Sequence, residues 1–224
     1  MPTSSGWTMS MMWMPMPGQT WAAAAASFVG MWTAMMVPMM LPTVAPVLWR
    51  HRAAVVRSNA ERAGALTAIV GAGYCFVWAV VGLAVFPVGA AVAGVVMDHA
   101  ALARAVPIAV GLTVMIAGAI QLTSWKAHHL ASCRWTSWCD TARAAGAADA
   151  WRHGIRLGLR CVASCANLML IPLVVGVMDV RAMVVVGAAV MAERLAQHGK
   201  RVARITGVMF VAAGGILIGR AVGL

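Results

Sequence analysis

Residues 21–41 read WAAAAASFVGMWTAMMVPMML, twenty-one positions without one charged side chain. A helix needs about 20 apolar residues to cross the hydrocarbon core of a bilayer, so this run predicts a membrane span. Four further runs predict the same: Leu66 to Phe86, Ala105 to Leu122, Leu157 to Val177 and Ile205 to Val222. A sixth, Val180 to Leu195, is shorter and carries Glu193 near its end; a tilted or half-inserted helix is the alternative there.

The composition agrees with that reading. The 224 residues are 62% hydrophobic and 10% charged, against about 25% charged in an average soluble domain, and mean hydropathy is +0.84. The expected fold is all-α: a polytopic transmembrane helical bundle of about six spans. Residues 1–20 form a Met-rich segment and 21–224 one transmembrane domain. That leading segment holds no Lys or Arg, so the basic n-region of a cleaved signal is missing, and its retention is expected.

Positive charge orients the bundle. With six spans, fourteen of the seventeen Lys and Arg residues fall on the side of loops one, three and five, counting Arg160 just inside the fourth helix, leaving Arg104, Arg181 and Arg220 on the other face. Short basic loops stay in the cytoplasm, which predicts both termini outside and a multi-pass protein of the cell inner membrane. Five spans would place loops three and five on opposite faces and spoil the asymmetry. The formal charge of +11 therefore reads as a topology signal. No basic stripe interleaved with aromatics is present, and nucleic acid is not an expected partner; membrane lipid is. Gly215 and Gly219 make a small-xxx-small pair in the last span, a device for close helix approach.

Soft ligands are the other anomaly. Cys161 and Cys165, four apart, project from one helical face, and His129 and Cys133 repeat that spacing after the third span. The third helix ends and the fourth begins at the same boundary, so the two pairs can meet. Three thiolates and one imidazole suit Zn(II) or, with fewer engaged, Cu(I). The competing reading is a solvated loop histidine and ordinary buried cysteines, with Cys139 a spectator. Five cysteines, none in a long outer loop, do not predict a disulfide framework.

Eighteen methionines concentrate toward the amino end. Met9, Met11, Met12, Met14 and Met16 precede the first span. Within it, Met31, Met35 and Met39 form an i, i+4 ladder beside a row of Trp32, Met36 and Met40. Thioether favours Cu(I), so Met35 and Met39 join His129, Cys133, Cys161 and Cys165 as candidate metal ligands; methionine as core filler is the alternative.

Three segments resemble the bacterial integral membrane family named domain of unknown function 2182, described as predicted metal-binding membrane proteins. They are Met31, Trp32, Ala34, Met35, Met36, Leu41, Pro42 and Pro46; Ala117, Gly118, Gln121, Leu122, Thr123, Lys126, Cys133 and Arg134; and Cys161, Cys165, Leu168, Met169, Gly176, Met178 and Glu193. The resemblance implies metal binding without supplying a reaction. This chain departs from the family pattern at His129 and Ser164, where the pattern has cysteine, and at Ala166, where it has tryptophan.

The expected function is binding of a soft metal, copper with zinc as the alternative cargo, for delivery, transport or homeostasis. The ion would pass between the outer methionines and the inner Cys/His set. The alternative is a non-catalytic accessory subunit of a larger membrane complex, with a copper enzyme as the natural partner. An enzyme is the weakest reading. The six acids, Glu61, Asp98, Asp140, Asp149, Asp179 and Glu193, make no histidine–carboxylate spacing that builds a dyad. Glu193 is expected either buried in a functional role or at the interface beside Arg194 or Lys200.

Overall fold

A computed structural model describes residues 13–15, 17–57, 61–130, 146–176, 179–196 and 198–223. Among them there are helices and no strand: α1 (Trp21–Val56), α2 (Ala63–Asp98), α3 (Ala100–Gln121), a short α4 over 124–130, α5 (Ala147–Val175), α6 (Val180–Leu195) and α7 (Gly199–Val222). Local chemistry sets the ends. Thr20 Oγ1 accepts from the Ala23 amide at 3.2 Å, and Asp179 Oδ1 accepts from the amides of Arg181 and Ala182 at 2.8 and 3.0 Å; these are N-caps that satisfy otherwise orphaned donors. Gly223 closes α7 at φ +88, a left-handed conformation that glycine adopts without a Cβ clash.

Five helices, α1, α2, α3, α5 and α7, are long and apolar enough to cross a membrane. The sixth expected run forms α6 with the expected bounds, but its 16 residues rise only about 24 Å, short of the roughly 30 Å hydrocarbon thickness. It packs against α1, α5 and α7 within the bundle. Conversely α1 and α2, at 36 residues each, run about 54 Å and extend well beyond a bilayer core.

Two helix pairs pack backbone to backbone. In the α3–α7 pair, a Cβ added at Gly118 would lie 2.7 Å from the Gly207 carbonyl oxygen, and one at Gly214 would lie 2.6 Å from that of Gly111. In the α2–α5 pair, one at Gly73 would lie 2.8 Å from the Trp151 carbonyl. Only glycine permits such contacts. The expected pair Gly215 and Gly219 is not among them: a Cβ at either meets nothing within 4 Å. The packing face of α7 repeats every seven residues through Gly207 and Gly214, rotated away from Gly215 and Gly219.

Between α1 and α2 the filling is aromatic. Trp32 donates its indole N–H to the Trp78 carbonyl at 3.0 Å and stacks on Phe28 at 6.0 Å. Trp13 reaches back from the leading segment to lie 5.0 Å from Phe28. Of the methionines before α1, Met14 is exposed; Met9, Met11, Met12 and Met16 lie outside the described residues. Helix α1 also carries Pro38, Pro42 and Pro46 on one exposed row. Each lacks an N–H, so the carbonyls of Ala34, Pro38 and Pro42 lose their usual helical partners.

Candidate metal centre

The deepest part of the core holds sulfur. Helix α5 places Cys161 and Cys165 on one face, and α1 brings Met40 against them; all three are buried. The two thiol sulfurs are 4.0 Å apart, and Cys161 Sγ is 3.9 Å from Met40 Sδ. Both cysteines are free thiols. Tyr74 on α2 sets its hydroxyl 3.1 Å from Cys161 Sγ, and the Cys165 thiol donates to the Cys161 carbonyl at 2.9 Å.

A polar network grips the same turn of α5. Lys126 on α4 donates to the Ser164 carbonyl and pairs with Glu193 of α6 at 3.0 Å. Glu193 also accepts from Gln121 of α3 and, at 3.0 Å, from Thr206 of α7. Arg194 donates to the Ser164 hydroxyl and, at 3.3 Å, to the Cys161 carbonyl. Ser164 Oγ in turn donates to the Cys161 carbonyl at 2.9 Å. Four helices, α1, α2, α4 and α6, thus converge on residues 161–165 of α5, and α3 and α7 are tied to them through Glu193.

Of the two alternatives for Glu193 the buried one is met, with Lys126 and not Arg194 or Lys200 as its ion-pair partner. Lys126, counted above among loop charges, is 1% exposed and Glu193 2%, because the pair satisfies itself inside the bundle.

The expected ligands fall as follows. Cys161 and Cys165 come together. Met39 is buried but turned toward α6, where it borders Gly187, and Met35 is half-buried at the edge of the same core. The adjacent row reaches the thiols through Met40. His129 is half-buried with its ring 4.5 Å from that of Trp125. Cys133 and Cys139 lie outside the described residues. Among the described residues no three His, Cys, Asp or Glu side chains converge; the third donor beside the thiols is a thioether.

Met40 was legible by one signal. Prolines 38, 42 and 46 mark a face of α1, and a residue two positions on from a proline lies about 200° around the helix, nearly opposite. That opposite row is Met36, Met40 and Val44, all buried.

A family model described as PpoB2, copper chaperone, matches residues 29–217. The chain belongs to this copper chaperone family. All three sulfurs, Tyr74 and the Lys126–Glu193 pair lie inside the matched range. No curated protein and no solved structure matches this member of the PpoB2 family.

Proposed function

We propose that this chain is a membrane-embedded copper(I) carrier that holds its cargo between Met40, Cys161 and Cys165 and delivers it to a copper-requiring partner. The spacing of the sulfurs carries the reading. An ion held in a plane by three sulfurs at about 2.3 Å, a typical metal–thiolate distance, sets those sulfurs about 4.0 Å apart. Two of the three sulfur–sulfur separations, Cys161 to Cys165 at 4.0 Å and Cys161 to Met40 at 3.9 Å, match that figure. Two thiolates and a thioether are the soft set that selects Cu(I). Zn(II) asks for four ligands, and three is what this turn offers.

Charge supports the same cargo. A copper(I) dithiolate carries one net negative charge. The Arg194 guanidinium stands against the turn that bears both thiols, while Lys126 and Glu193 cancel each other. His129 and Cys133 enter as ligands for the hand-over step. Lys126 ties α4 to the Ser164 turn, and His129 follows one helical turn later.

The test is anaerobic Cu(I) loading of the purified protein with X-ray absorption readout. The wild type should hold a copper with three sulfur neighbours, and Met40→Leu should hold it with two. Absence of sulfur-bound copper above a Cys161→Ser/Cys165→Ser control would end the proposal. For the hand-over pair, Cys133→Ser should retain the sulfur-bound ion and release it more slowly to a chelator; unchanged release would remove Cys133 from the route.

A further inference from the structure

His51 of α1 is 0% exposed, and among the described residues neither ring nitrogen has a hydrogen-bond partner. An imidazole has one donor and one acceptor to satisfy, and burying both unmet carries a cost that native structures avoid unless something else occupies the nitrogens. Facing it from α5 is a second imidazole. The rings of His51 and His153 lie 5.6 Å apart, centroid to centroid, and within 17° of parallel.

The pair also stands in a meaningful place. His153 precedes Cys161 on α5 by two helical turns, roughly 12 Å, and His51 follows Met40 on α1 by three, roughly 16 Å. The helices run antiparallel, so the two sets of donors lie along one α1–α5 seam. Few close backbone approaches are made there, and long side chains span the gap. His51 lies ten residues past Leu41, where the apolar run of α1 ends, at the mouth of the seam.

We infer that His51 and His153 form a second metal site, a two-imidazole clamp for Cu(I) at the mouth of the seam that leads to the sulfur site. Imidazole is a copper ligand, and a d10 cuprous ion is content with two donors in line. Zn(II) is the poorer fit, since the described residues offer no third His, Cys, Asp or Glu to complete a set there. A His51 nitrogen that ligates the ion ceases to be an unmet buried group. The inference extends the copper reading above, and the two can fail separately.

The experiment uses the full chain in detergent, titrated anaerobically with Cu(I) against a chromophoric chelator, with X-ray absorption on the loaded samples. Wild type should bind two equivalents. Cys161→Ser/Cys165→Ser should keep one, with nitrogen neighbours, and its unfolding temperature should rise with added Cu(I). His51→Phe keeps the ring volume and discards the nitrogens; it should fold, and bind one equivalent with sulfur neighbours. Should it fail to fold, His153→Gln, at a half-buried position, makes the same measurement. If either histidine variant binds as much copper as wild type, or the thiol variant binds none, the clamp is overturned. Nitrogen-bound copper without any sulfur-bound copper in wild type would overturn the sulfur site and leave the clamp standing.

Discussion

Lys126 and Glu193 exchange their charges entirely inside the bundle, where removing one partner leaves the other uncompensated. Lys126→Met or Glu193→Leu should therefore each destabilise by about 3–5 kcal/mol, while the double variant Lys126→Met/Glu193→Leu should lose less than the sum of the singles; thermal unfolding in detergent gives the cycle. Additive losses would mean that the pair is not coupled. At the sulfur site, Met40→Leu preserves volume and removes one donor, so Cu(I) affinity should fall at least tenfold, about 1.4 kcal/mol, with little change in melting temperature. Half of this chemistry was readable in the chain. Cys161 and Cys165 declare themselves by spacing, since four residues always share a helical face. Met40 does not declare itself by spacing, because two methionine rows run side by side in α1; only the proline face opposite one of them distinguishes the two. Lys126 and Arg194 were hidden for a different reason: both look like loop charges until α4 and α6 fold onto α5.

At the scale of the elements, hydropathy placed all five long helices and also α6, whose bounds match the apolar run from Val180 to Leu195. The apolar runs fix the middle of each long helix and not its ends: α1 and α2 continue past Leu41 and Phe86 to Val56 and Asp98, and α5 and α7 begin at Ala147 and Gly199, ahead of Leu157 and Ile205. What hydropathy does not carry is rotation about the axis. Every face of α7 is apolar enough for lipid, so nothing in composition separates the stripe through Gly207 and Gly214 from the open face through Gly215 and Gly219. The two stripes give a sharp contrast. Gly207→Ala places its Cβ 2.9 Å from the Gly118 carbonyl oxygen and should cost about 1–3 kcal/mol of stability. Gly215→Ala and Gly219→Ala should each change it by less than about 0.5 kcal/mol. Equal losses at the two stripes would place the α3–α7 contact on the wrong face.

For the whole molecule, the distribution of Lys and Arg predicts that reporter tags at the two termini both read outside the cytoplasm; opposite readouts would show that α6 does not cross. Removing Lys126 from the tally of loop charges leaves the bias of loops one, three and five intact. The proline row of α1 bears on how such a bundle lets go of a cargo. Where Pro38, Pro42 and Pro46 have already removed three rungs from the helical ladder, flexing α1 breaks no further hydrogen bond. Met40 rides on that softened stretch, opposite the prolines, while Cys161 and Cys165 sit on a turn of α5 held by α2, α4 and α6. On the copper reading proposed above, one jaw of the grip would be hinged and the other clamped, so that a small bend of α1 would withdraw the thioether and leave the two thiolates to hold the ion and meet an incoming acceptor ligand. Pro42→Ala, which restores a rung, should tighten the grip and slow copper exchange to a chelator without altering how much copper is bound.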